Sequence, residues 1–148
     1  MMKNEFMRLA IEQAEIAARE GEVPVGAVVV KNGNVIALGR NNRENTKNAD
    51  GHAEMLAIKE ACKELGSPFL EGCDIYVTLE PCPMCAGAIL QSRIRKVVFG
   101  AYEDKSGAVG SVFNLFYDFV WPHKVLFEGG VLENECQKLM TDFFKEKR

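Results

Sequence analysis

Apolar residues recur at helical spacing at the start of the chain, where Phe6, Leu9, Ala10, Ile16 and Ala17 share one face and Gly21 follows. Residues 4 to 20 are therefore predicted as an amphipathic helix with a glycine stop. The period then changes. Val25 to Val30 and Val35 to Leu38 are short β-rich runs, and Lys31-Asn32-Gly33-Asn34 between them holds the Asn-Gly signal of a tight hairpin. From His52 to Leu65 the residues Met55, Leu56, Ile58, Lys59 and Leu65 follow a helical pattern that ends at Gly66, and Ile75 to Leu79 reads as a buried strand. A second helix is expected from about Cys82 to Gln91, a strand at Val97 to Phe99, another at Val125 to Phe127, and a closing helix over residues 131 to 145 after Gly129-Gly130. Strand, helix and strand within residues 75 to 99 form a βαβ crossover, which requires two parallel strands, while the hairpin is antiparallel. The expectation is an α/β fold with a mixed sheet and helices on both faces.

A chain of 148 residues suits one core, so residues 1–148 are taken as a single domain. Met1 to Arg8 carries Lys3, Glu5 and Arg8, which interrupts any apolar run long enough for a signal peptide or a membrane span. A cytoplasmic location with no membrane partner is the expectation. The net charge of −3 provides no overall attraction to nucleic acid. Local basic clusters would have to supply it: Arg93, Arg95 and Lys96, or the tail Lys145, Lys147 and Arg148, although such runs are commonly plain solvated surface.

Candidate chemistry lies in two short motifs, His52-Ala53-Glu54 and Pro81-Cys82-Pro83-Met84-Cys85, each at a predicted helix start. Either motif alone is weak; their joint occurrence points to a metal. Cysteines three apart on a helix share a face, and Pro83 suits a first-turn position where its missing N–H costs nothing. A helix N-terminus also favours the thiolates that zinc requires. His52 offers a third ligand. Cys62 lies ten positions further along the same helix, about 15 Å away, and Cys73 lies at the far end of the incoming strand, roughly 20 Å away, so neither shares that ion. Cys136 and His123 stay open as a fourth ligand. With three protein ligands, the fourth position takes water, whose pKa a catalytic zinc brings from 15.7 to about 7. Glu54 then serves as a proton shuttle beside that water, or is simply a first-turn acid favoured by the helix dipole. Two readings of another class stand beside this one: a thiol redox domain using Cys82 and Cys85, which leaves His52 and Glu54 without a role, and a structural zinc-binding module closed by Cys136 or His123.

Together the two motifs resemble the signature of the cytidine-deaminase-like zinc deaminases. The likeness continues through Glu22-Val23-Pro24-Val25-Gly26-Ala27, Tyr76-Val77-Thr78-Leu79-Glu80-Pro81, Cys85-Ala86-Gly87-Ala88, Lys96-Val97-Val98-Phe99-Gly100-Ala101 and Asp142-Phe143-Phe144. In these segments the chain is similar to the bacterial tRNA adenosine deaminases, which convert the wobble adenosine to inosine. That resemblance implies a three-layer α/β/α fold on a mixed five-stranded sheet, a homodimer, and one Zn2+ per chain on His52, Cys82 and Cys85. It also implies Glu54 as the catalytic proton shuttle and the tRNA anticodon loop as partner. Carried over position by position, Asn41 matches a base-contacting asparagine, Leu79, Glu80 and Pro81 the pocket wall, and Phe144 with Lys147 the anticodon-loop contacts of the last helix. Val25 and Ala53 join the implied substrate contacts, and Glu103 stands where the family commonly has an aspartate that touches the ribose. Turn residue, strand end, core aromatic and exposed lysine are the plain alternatives for these outer positions. Asp50-Gly51 before His52 and Pro122 before His123 depart from the family's pattern. Deaminases of guanine, cytosine, cytidine or other free nucleosides share the same ion and acid, so the motifs alone do not choose the substrate.

Overall fold

The predicted first helix forms as α1, Lys3–Arg19, and the Asn-Gly hairpin follows as β1, Gly26–Lys31, and β2, Asn34–Arg40. These come from a computed structural model that describes residues 2–118 and 120–147; Met1 and Arg148, the latter part of the basic tail noted above, lie outside the described residues, as does Phe119. Asn32 and Gly33 both take positive φ, +52° and +78°, the pair of left-handed residues that a type I′ turn requires. The chain continues through α2, Arg43–Thr46, α3, Ala53–Leu65, β3, Cys73–Leu79, α4, Pro83–Gln91, β4, Lys96–Ala101, α5, Leu115–Asp118, β5, Leu126–Glu128, and α6, Glu133–Glu146. α2 and α5 were not anticipated, since four residues are too few to carry a helical period.

The strands form one mixed five-stranded sheet in the order β2-β1-β3-β4-β5. β1 is antiparallel to both β2 and β3, whereas β3, β4 and β5 run parallel, as the crossover through α4 demands. β1 explains why its valines run without polar interruption. Ala27 and Val29 face the layer of α3 and α4, with Ala57, Ile89 and Phe99, while Val28 and Val30 face α1 and α6, with Met7, Tyr76 and Cys136. A strand buried on both faces reads as a continuous apolar run, and each such valine contributes about 1.5–3 kcal/mol relative to exposure.

Close packing against glycines sets the height of the helices above the sheet. A Cβ at Gly26 would come 2.0 Å from the Ala10 carbonyl oxygen, and one at Gly39 would come 2.2 Å from that of Ala53. α1 and α3 therefore rest directly on the strand backbone. The buried stripe of α3 runs through Ala53, Ala57 and Ala61 with Ile58, while Met55 and Leu56, which helped to define the helical pattern, are only half-buried. No helix among the described residues is long and apolar enough to cross a membrane.

Candidate active site

At the carboxyl end of β3, two helix N-termini converge. His52 is the N-cap of α3 and Cys82 the N-cap of α4, both in extended backbone conformation, which turns their side chains off the helix axes and toward each other. Cys85, one turn into α4, is fully buried. The imidazole Nδ1 of His52 lies 3.6 Å from Cys82 Sγ and 3.5 Å from Cys85 Sγ, and the three donor atoms all lie within 4.8 Å of one another. A tetrahedral zinc with about 2.3 Å to sulfur and about 2.0–2.1 Å to nitrogen sets N···S separations of about 3.6 Å. The residues present fit that ion.

Neither candidate fourth ligand joins the group. Cys136 is buried on the opposite face of the sheet, against the α carbon of Gly100, and His123 places its Nε2 2.8 Å from the Ile94 carbonyl oxygen. Among the described residues, the cluster of possible metal donors is His52, Cys82 and Cys85, without Cys62 or Cys73. The structural zinc module thus lacks its closing side chain, and the redox reading does not account for an imidazole set equally against both thiols.

The electrostatics follow from these contacts. A hydrogen bond from the Cys85 thiol, reinforced by His52, pulls Cys82 down to about 4, and the same shared proton together with burial drives Cys85 well above the ordinary thiol range. The Cys82 sulfur raises the pKa of His52. Glu54 is buried, and loss of solvent pushes its carboxyl up to about 7, with the nearby Cys82 sulfur acting in the same direction. Its position two residues after His52, within the first turn of α3, lets both side chains reach the same point, because His52 itself is outside the helix.

His52, Glu54 and Cys82 line a cavity of about 390 Å³, with Cys85 buried beneath them. Of the residues assigned to substrate, Val25, Asn41, Leu79, Glu80, Glu103 and Phe144 line it. Asn41 Oδ1 accepts the Ala53 N–H at 2.8 Å, which satisfies one of the free donors of the first turn of α3. Ala53 and Pro81 are buried behind the wall, Pro81 accepting the Ala108 N–H at 2.9 Å through its carbonyl. Lys147 does not line the cavity. It lies 5.2 Å from the centre of the Phe143 ring, in the groove between α1 and α6. The Glu80 side chain is also turned to another task, since backbone N–H groups of Glu103, Val109 and Ser111 and the Ser111 hydroxyl occupy its two oxygens.

Sequence reasoning missed Glu22, Val23, Arg43, Glu44, Lys105, Ser106 and Met140 in the lining. Arg43, Glu44, Lys105 and Ser106 lie in segments too short or irregular to carry a period, Met140 is on α6, and Glu22 and Val23 stood in a matched segment with no role attached. The expected basic cluster is spent on internal pairing at the far end of the sheet. Arg95 is bidentate to Asp74 at 2.8 and 2.6 Å, Lys96 meets Glu128 at 3.1 Å, and Arg93 stacks over Phe69 at 4.1 Å. Asp50, one of the two departures before His52, pairs with Lys59 at 2.7 Å. Gly51, the other, is packed so closely that a Cβ would meet Asn42 Oδ1 at 2.6 Å and Arg43 Cα at 2.7 Å.

Residues 1–101 match the family model of the cytidine and deoxycytidylate deaminase zinc-binding region. The chain is 50% identical over 143 residues to a tRNA-specific adenosine deaminase of Bacillus subtilis (strain 168), covering 97% of this chain and 89% of that protein. It is 48% identical over 148 residues to a tRNA-specific adenosine deaminase of Aquifex aeolicus (strain VF5), covering 100% of this chain and 97% of the relative. A solved structure described under A-to-I editing by tRNA:A34 deaminases at the wobble position of transfer RNA superposes with a TM-score of 0.85 at 40% identity, over 93% of this chain and 99% of the other.

Proposed function

The chain belongs to the cytidine and deoxycytidylate deaminase zinc-binding family, with tRNA-specific adenosine deaminases as relatives over its full length, and from that premise we propose that it deaminates adenosine to inosine at the wobble position of tRNA. The observation that carries this reading is the meeting of His52, Cys82 and Cys85 around one point, with the buried carboxyl of Glu54 alongside, at the floor of a cavity.

His52 Nδ1 and the sulfurs of Cys82 and Cys85 would hold zinc, which supplies a Lewis acid that acidifies water at neutral pH. Glu54 takes a proton from the attacking water and delivers it to N1 of adenine as the water oxygen bonds to C6, then takes the second proton from the new C6 hydroxyl and gives it to the amino group as the C–N bond breaks. Water and adenosine leave as inosine and ammonia. Asn41 holds its side-chain oxygen on the Ala53 N–H, which leaves its amide N–H groups as donors to the base. Val25 and Leu79 provide apolar wall, Ala53 and Pro81 support that wall from behind, and Glu103 and Phe144 meet the nucleotide and its neighbours at the mouth. Lys147 contributes charge to the outer face of α6, away from the base.

An anticodon loop suits such a cavity, because an unpaired base is splayed out at a cost of at most a few kcal/mol. We further propose that the chain is one domain, acts in the cytoplasm and works as a homodimer. Support for the dimer comes from Met84 on α4, Tyr117 on α5 and Val112 and Phe113 just before α5, large apolar residues left exposed on two helices that touch each other and on the turn leading into the second. The functional test presents the zinc-loaded protein with tRNA whose anticodon begins with adenosine, and separately with free guanine, cytosine, cytidine and adenosine. Inosine is expected in the tRNA; deamination of a free base or nucleoside with the tRNA left intact would overturn the reading.

A further inference from the structure

Two of the least exposed polar side chains in the protein are carboxylates with no ion-pair partner among the described residues: Glu22 and Glu80, 1% and 2% exposed. Burying a carboxylate is unfavourable unless donors replace its water, so what surrounds each one is informative. Glu22 accepts the N–H groups of Glu44 at 3.0 Å and Asn45 at 2.7 Å. Those are the second and third positions of α2, the donors that an N-cap side chain normally satisfies, and the residue actually at the cap, Asn42, makes no such bond. Glu80 accepts from Glu103, Val109 and Ser111 backbone N–H groups, each at 3.0 Å, and from the Ser111 hydroxyl.

Each carboxylate thus connects the fixed frame to one loop. The Glu22 backbone N–H is bonded to Ala17 of α1 at 2.9 Å, and that of Glu80 to Ala101 of β4 at 2.9 Å. The outer parts of the loops, by contrast, have little burial of their own, although Ala108 and Val109 of the second pack into the core. Residues 43 to 49 are all exposed, as are Tyr102, Asp104, Lys105 and Ser106. Gly107 is packed onto the Glu80 carboxylate, where a Cβ would stand 2.5 Å from Oε2. Both loops line the cavity, one presenting Arg43 and Glu44, the other Glu103 and Lys105.

We infer that Glu22 and Glu80 are a pair of positioning residues, buried carboxylates that fix the two loops walling the cavity and thereby set the affinity for substrate. The part concerning affinity rests on the proposed tRNA reaction; the clamping of the loops does not. Replacing either by glutamine keeps the shape but turns an amide donor toward backbone donors.

The test compares zinc-loaded wild type with Glu22→Gln, Glu80→Gln and Ser111→Ala by backbone hydrogen exchange, metal content, and KM and kcat on tRNA. Exchange over residues 43–46 is expected to rise about tenfold or more in Glu22→Gln alone, and over 103–111 in Glu80→Gln, because hydrogen bonds to a charged group contribute that much each. Ser111→Ala, which removes one exposed hydroxyl, gives a smaller rise over the second loop and decides that clamp even if Glu80→Gln does not fold. Zinc stays bound, and KM rises about tenfold while kcat falls by less. Unaltered exchange in these segments, acceleration spread over the whole sheet, or loosened loops with an unmoved KM would each overturn the inference. A wild type inactive on tRNA would count against the reaction, while the exchange data would still decide the clamps.

Discussion

Asn41 gives its side-chain oxygen to the Ala53 N–H at 2.8 Å across twelve residues of chain, so the residue that leaves β2 also caps the helix that presents His52 and Glu54. This contact separates two roles by substitution. Asn41→Ala removes both the cap and the amide donor, and should cost about 1 kcal/mol of stability, as lost caps do, along with substrate affinity. Asn41→Asp keeps an oxygen for Ala53 while replacing the amide donor by a charged acceptor, so the denaturation midpoint should hold while KM for tRNA rises at least about tenfold. An unchanged KM in Asn41→Asp would remove the base contact from the account.

The metal cluster and Glu54 should come apart in the same way. Cys82→Ala withdraws one of the two sulfurs that lie 3.6 and 3.5 Å from Nδ1 of His52, and elemental analysis should find the ion, about one per chain in the wild type, largely absent. Glu54→Gln leaves all three donors in place. It should keep the zinc and lose roughly 10²- to 10⁴-fold in kcat, the contribution of general acid-base catalysis. Full turnover in this variant would sink the assigned proton transfer.

What the sequence made visible was whatever short-range physics fixes. Gly66 ends α3 with φ +64°, the left-handed residue that helix ends favour, and the His52 and Cys82 motifs sit at helix starts because capping is local. The resemblance then supplied the ion and the acid. Hidden were the relationships that join distant residues. α2 depends on Glu22, which lies 22 and 23 positions before the N–H groups it accepts. Arg95 and Lys96 looked like a nucleic-acid patch until Asp74 and Glu128 were found against them. Lys147 turns to the groove of α1 because it shares a helix face with Phe143, four residues before it, whereas Phe144 faces the cavity.

Glu128 joins Lys3 of α1 at 2.7 Å and Lys96 of β4 at 3.1 Å, and the hydrogen bonds from these two ammonium groups lower its carboxyl pKa. A carboxylate depressed in the folded state adds stability above its unfolded pKa, and that stability is lost as pH falls through the folded value. Glu128→Gln should therefore lower the denaturation midpoint at pH 7 and make little difference near pH 3. With about a third of the side chain exposed, solvent and salt screen the effect to a few tenths of a kcal/mol, so high salt should shrink the pH 7 difference. A larger effect at low pH than at neutral pH would reverse the sign and exclude the mechanism.

Tyr117 is 83% exposed, and Met84, at 37%, lies on the helix that α5 packs against. Apolar side chains gathered on one face lose solvent contact when a second copy covers them, which gains about 25 cal/mol per Å² of apolar surface. Placing charge there removes that gain and buries an unpaired carboxylate in its place, a substantial penalty. Met84→Glu combined with Tyr117→Glu should hence shift the mass in light scattering from twice the chain's 16.4 kDa toward the single chain. Leu38→Glu provides the control, because Leu38 is 46% exposed on β2 at the opposite edge of the sheet, so its charge should leave the mass unchanged. A double variant that stays dimeric would move the interface elsewhere, and a wild type that is monomeric at micromolar concentration would leave the exposed face around Met84 and Tyr117 free of any second copy.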